Sequence, residues 1–70
     1  MKISINGQPR EIEAGDVSAL FRLEAELTGI ESPQGIAIAV NGTVVRRRDW
    51  ETTDITEGDK VEIVRAMQGG

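Results

Sequence analysis

The sequence predicts an α+β domain in which a mixed β-sheet carries one helix across one face. Three observations predict it. Period-two alternation of apolar and polar residues marks strands near both ends of the chain. One amphipathic stretch between them carries its own start and stop signals for a helix. Two Asn-Gly dipeptides, each next to a strand-like run, mark tight turns. A chain of 70 residues has room for one core and no second.

Lys2-Ile3-Ser4-Ile5-Asn6 alternates as a half-buried strand does, and Asn6-Gly7 is a strong hairpin signal. Arg10-Glu11-Ile12-Glu13 resumes the alternation, with Pro9 tolerated at the start of an edge strand. Ile3, Ile5 and Ile12 are assigned to the core face, and Lys2, Ser4, Glu11 and Glu13 to the other, so residues 2–14 read as a hairpin. Ala14-Gly15 ends it, and Asp16 stands where an N-cap is wanted. Val17, Leu20, Phe21, Leu23 and Leu27 recur at helical spacing, with Arg22, Glu24 and Glu26 covering the rest, and Gly29 suits the left-handed residue that ends a helix. The apolar stripe has only a sheet to lie on, and Phe21, the single Phe, is expected to anchor that contact.

Glu31 to Gly35, with Pro33, reads as a loop. Ile36-Ala37-Ile38-Ala39-Val40 follows as a strand with large residues on one face and alanines on the other. Asn41-Gly42 marks a second turn and Val44-Val45 a short return strand. Ile55 is expected to point inward, Glu57-Gly58-Asp59 to turn, and Lys60 to Arg65 to form the last strand. In that strand Val61 and Ile63 face the core, while Glu62 and Val64 face away. Hairpin, helix, strand, short strand and final strand is the order of the ubiquitin-like β-grasp. The reading divides the chain into a domain over 1–66 and a flexible C-terminal tail over 67–70, and it leaves the sheet face away from the helix largely open.

Composition narrows the function. Acids outnumber bases 12 to 8, a net charge of −4, which argues against nucleic acid as a partner. No apolar stretch is long enough to cross a bilayer, and the first residues do not make a secretory signal, so a cytoplasmic location is the expectation. With no Cys there is no thiol nucleophile or thiolate metal site, and with no His there is no nucleophile–imidazole pair. Catalysis by this chain alone is therefore not expected, and neither is a bound metal or cofactor; its work is expected to be done with partners.

The final Gly69-Gly70 follows a strand on a segment with nothing to bury. At average glycine usage two terminal glycines occur by chance in roughly one chain in 200. One reading is a frayed terminus. The other is a tail built for threading: without a Cβ, Gly69 and Gly70 can pass a narrow channel. Extended, Met67, Gln68, Gly69 and Gly70 would reach about 13 Å. The group at the tip is an unhindered α-carboxylate, the one obvious candidate for a covalent reaction in a chain without Cys or His.

Ala39-Val40-Asn41-Gly42, then Val45, Arg47 and Trp50, then Glu57 through Ala66 and the closing Gly69-Gly70 resemble the ThiS sulfur-carrier family of thiamin thiazole biosynthesis. The resemblance covers essentially the whole chain and is densest from Ile36 to Gly70. It implies that a ThiF-type adenylating enzyme, using ATP and magnesium, converts the Gly70 carboxylate to an acyl-adenylate. A persulfide from a cysteine desulfurase system then displaces AMP to leave a thiocarboxylate, and a ThiG-type thiazole synthase takes the sulfur. Members often have Pro where this chain has Arg46, a departure expected to loosen the exit of the short strand. Small subunits of molybdopterin synthase share the fold and the Gly-Gly end but are usually longer, with prolines before the tail. A ubiquitin-like modifier joined to lysines through Gly70, or a non-covalent adaptor, would be the readings outside the carrier class.

Three further features have two readings each. Arg46-Arg47-Arg48 is a solvated face or a docking contact for an acidic partner, and Trp50 packs over the end of the core or serves as a binding hot spot. If strand 3 and the last strand are neighbours, Ala37, Ala39, Val64 and Ala66 form a smooth apolar patch beside the root of the tail. That patch is either a partner-binding surface or alanine tolerated in central strands. Glu11, Glu13 and Glu62 read as solvated carboxylates rather than a cation site. A monomer is expected when the protein is free.

Overall fold

A computed structural model describes residues 1–65, and within them the expected elements appear in the expected order. Strands β1 (Lys2–Ile5) and β2 (Gln8–Glu11) form the first hairpin. Helix α1 spans Val17–Thr28, β3 Ile36–Val40 and β4 Thr43–Val45. A single 3-10 turn, Arg47–Asp49, precedes β5, Lys60–Arg65. One five-stranded sheet results, in the order β2-β1-β5-β3-β4, with β1 and β5 parallel and the other neighbours antiparallel. This is the β-grasp arrangement, with the last strand at the centre of the sheet.

The turns follow from their residues. Asn6 and Gly7 have φ of 51° and 80°, and Asn41 and Gly42 have 51° and 86°. Positive φ at both central positions is the two-residue turn whose twist matches that of the strands. Because the first turn occupies only Asn6 and Gly7, pairing resumes at once with Ile5 opposite Gln8. Strand β2 therefore begins two residues before the expected Arg10 and takes Pro9 inside it, where an edge strand tolerates a missing N–H. Arg10 lies opposite Ile3 and so takes a core-side position; Glu13, past the strand's end, borders a hollow with Ala19, Arg22, Leu23 and Glu26 of the helix. The assignment of Glu13 to the open sheet face is corrected accordingly.

Helix α1 starts and ends where its cap residues stand. The Asp16 carboxylate accepts from the Ala19 N–H at 2.8 Å, and Gly29 at φ 77° sends its N–H to the Ala25 carbonyl. The other free N–H groups of the first turn go to the chain that follows the 3-10 turn: Val17 N–H donates to Thr53 O and Ser18 N–H to Trp50 O. The start of the helix is thus bolted to residues 50–53.

The buried helix stripe differs from the expected one. Val17 and Leu20 are fully buried, Glu24 is nearly so, and Leu27 is 69% exposed. Leu20, not Phe21, is the helix's central contact with the sheet, where Ile38 and Val61 are likewise buried. Phe21 sits at the flank, its ring 5.2 Å from that of Trp50. Glu24 takes the inner position because Arg10 reaches it from β2, Nη2 to Oε1 at 2.6 Å. Ile3, Ile5, Ile12 and Ile55 lie in the core as expected, and Ala14 and Trp50 lie there with them. Trp50 packs rather than presenting itself: it is 5% exposed, and its indole N–H donates to the Val45 carbonyl.

Arg46 has φ −64° and ψ 144°, the region a proline occupies. The exit of β4 therefore has the backbone that a proline would impose.

Candidate functional site

The apolar patch on the face of the sheet opposite the helix is built by three of the five strands, β3, β4 and β5. In β3 the period of two sends Ile36, Ile38 and Val40 toward the core and Ala37 and Ala39 to the other side. Strand β5 lies beside it antiparallel, as the patch required, with Ala37 opposite Val64 and Ala39 opposite Glu62. On the far side of β3, Ala39 is opposite Val44. The small side chains leave a shallow hollow of about 280 Å³, walled by Val44 and Val64 and bordered by Gly42 and Glu62.

Val64 is 58% exposed and Val44 67% exposed, which makes them two of the four large apolar side chains left open among the described residues. Ala37, Ala39 and Val64 are thus brought together, and Val44 joins them. Val44 was not among the predicted site residues. A three-residue strand has too short a period to show which of two adjacent valines faces out. Exposed apolar groups around a floor of alanines allow close approach by another protein's backbone or side chains. Glu62 is the one charged group at the border of the hollow.

The remaining site residues proposed from the sequence, Ala66, Met67, Gln68, Gly69 and Gly70, lie outside the described residues, as does the boundary drawn between 1–66 and 67–70. β5 runs through the middle of the sheet and reaches Arg65 beside the open face.

Two asparagines hold that strand in place. Asn6 accepts the Ile63 N–H at 2.8 Å and donates to the Ile63 carbonyl at 3.2 Å, so one side chain continues the β1–β5 ladder past the end of β1. Asn41 accepts the Lys60 N–H at 2.9 Å and donates to the Asp59 carboxylate at 3.0 Å. Asp59 is held below the ordinary carboxylate pKa chiefly by the Thr56 N–H; burial opposes this, and the Asn41 amide and Thr56 hydroxyl reinforce it. No group of three acids suited to a metal ion occurs among the described residues, and no helix among them is long and apolar enough to cross a membrane.

The sequence model of the ThiS family matches residues 3–70 of this chain. A thiazole synthase of Magnetococcus marinus is 35% identical over 71 aligned residues, which cover 100% of this chain and 20% of that protein. The chain therefore spans about one fifth of the length of that relative. Among solved structures, the crystal structure of a thiamine biosynthesis protein (ThiS) from Geobacter metallireducens superposes with a TM-score of 0.76 at 25% identity, covering 100% of both chains. A chain of the complex of molybdopterin-converting factor subunits 1 and 2 from Helicobacter pylori gives a TM-score of 0.64 at 22% identity, again over 100% of both chains, a likeness of fold.

Proposed function

The chain belongs to the ThiS family, and from that premise we propose that it is a sulfur carrier for thiazole formation in thiamin biosynthesis, carrying sulfur on its C-terminal glycine. The observation that carries the reading is the family match running from residue 3 through Gly69-Gly70. A carboxylate is a poor electrophile, and joining it to AMP as a mixed anhydride supplies a good leaving group. An adenylating partner of the ThiF type, holding the ATP and magnesium, would transfer AMP to the Gly70 carboxylate and release pyrophosphate. Attack by the terminal sulfur of a persulfide, supplied by a cysteine desulfurase system, would expel AMP and form an acyl disulfide. A further thiol would open that bond and leave the thiocarboxylate.

The relative from Magnetococcus marinus supports a thiazole synthase as the acceptor, since in that protein a region similar to this chain belongs to a polypeptide bearing that name. Loading and unloading in the partners' active sites account for a carrier without Cys or His. The chain would act as a protein co-substrate rather than as an enzyme. In this reading Met67, Gln68 and Gly69 thread the tail into those sites, and the open face with Ala37, Ala39, Val64 and Ala66 is where partners dock.

The test is the intact mass of the protein after incubation with a purified adenylating enzyme, ATP, magnesium and a persulfide donor. Replacement of one oxygen by sulfur, mapped to the C-terminal peptide, is the expected result. Deleting Gly70 is expected to abolish the mass change and leave thermal stability as it was. A truncated chain that still accepted AMP would overturn the assignment of Gly70.

A further inference from the structure

On the helix side of the sheet, Arg22 of α1 and Arg47 and Arg48 of the 3-10 turn line one open hollow of about 440 Å³. Their convergence follows from the fold. The first turn of the helix is hydrogen-bonded to Trp50 and Thr53, which carries the 3-10 turn alongside the helix. The Phe21–Trp50 ring contact then sets the floor.

In a protein with four more acids than bases, this is a local reversal of sign. The two ion pairs among the described residues, Met1–Glu11 and Arg10–Glu24, use none of these three guanidinium groups. Glu51 is the one acid lining the hollow, so three positive charges face one negative. Phe21 and Pro33, both half-buried, add an apolar wall.

We propose that this hollow is a docking site for an acidic segment of a partner protein, in which carboxylates flank an apolar side chain. Guanidinium forks match carboxylates two bonds at a time, and the Phe21–Pro33 wall takes the apolar residue. A nucleotide fits less well, because Trp50 is 5% exposed and offers no open ring face on which a base could stack. The hollow lies on the opposite side of the sheet from Ala37, Ala39 and Val64, so a partner on one face leaves the other accessible. The proposal concerns a surface that the sulfur-carrier reading does not use and stands whether or not Gly70 is modified.

The experiment uses the full chain labelled with 15N and, as probe, a synthetic peptide of glutamates flanking one phenylalanine, at low ionic strength. Amide shifts are expected at Ser18, Arg22, Arg47 and Arg48 and at the Trp50 indole N–H. They should fade as salt is added and be absent with the lysine counterpart of the peptide. Arg22→Gln, Arg47→Gln and Arg48→Gln combined should weaken the peptide about tenfold, at unchanged thermal stability, since all three side chains are exposed. Val64→Glu should leave peptide binding unchanged. Absence of shifts at millimolar peptide, or shifts centred elsewhere, overturns the proposal. So do equal shifts from inorganic phosphate, which would mark a site for small oxyanions. Self-association of the free protein that the triple variant abolishes would assign the hollow to a second copy and overturn it as well.

Discussion

Asn6 and Asn41 stand at φ 51°, where asparagine and glycine are among the few residues at ease, and each then spends its side chain on β5. The Asn6 amide does the work of an absent strand residue by satisfying both backbone groups of Ile63. Asn6→Gly keeps the turn geometry and removes the clamp. It should cost about 1 kcal/mol in urea unfolding, and a variant as stable as the parent would show that solvent replaces the amide without loss. Asp59 is a second point where one residue sets a property of the whole. Its folded pKa lies below the ordinary 3.8, led by the Thr56 N–H, so the ionised form favours the fold. The resulting stability is complete above the unfolded value and is lost as pH falls through the lower folded one. Unfolding followed from about pH 5 downward should therefore show a shallower acid loss for Asp59→Asn than for the parent. Identical slopes would remove Asp59 from the acid response.

At the scale of elements, one ion pair joins the edge strand to the inner face of α1. Arg10 and Glu24 meet at 2.6 Å with Glu24 only 8% exposed, so removing Arg10 strands a carboxylate against the core. Arg10→Met should cost about 1–3 kcal/mol. Adding Glu24→Leu should recover most of that, because an apolar pair of similar volume avoids desolvating two charges. Equal losses in the single and double variants, read from thermal unfolding, would show that the loss does not come from a stranded Glu24 carboxylate. This contact also explains where the sequence was legible and where it was not. Asp16, Gly29 and the two Asn-Gly turns announce element ends by local chemistry, and every one stands where the pattern placed it. The helix stripe is not legible in the sequence because a glutamate at an inner position looks polar until its partner is known, and that partner is on a strand, Arg10 of β2. Leu23 and Leu27 then appeared to belong to the core, though the inner positions had been taken by Val17, Leu20 and Glu24. Adjacency of β3 and β5 is equally non-local, so the patch on the open face was conditional in the sequence. The arginine cluster was only half visible, since Arg22 lies 25 or more positions from Arg47 and Arg48 in the chain.

At the scale of the molecule, β5 occupies the middle of the sheet and runs out beside an apolar face that no element of the described chain covers. A central strand held by β1, β3 and two asparagine clamps is the base from which, in the proposed carrier function, the C-terminus would be presented. In that reading, a partner that gripped the open face would gain contact area beside the end of β5. Val64 is the position that separates these roles from folding, because it is 58% exposed and points away from the core. Val64→Glu should change stability by no more than about 0.5 kcal/mol. In complex with an adenylating partner the new carboxylate would be desolvated without a counter-charge, with Glu62 two residues away on the same face. Binding measured by calorimetry should then weaken about tenfold or more, whereas Val64→Thr should bind much as the parent does. If both variants bind the partner as the parent does, the open face is not the docking surface. If Val64→Glu instead melts well below the parent, the strand's outer side contributes to folding, and Ala39→Glu on the neighbouring strand becomes the variant that decides the question.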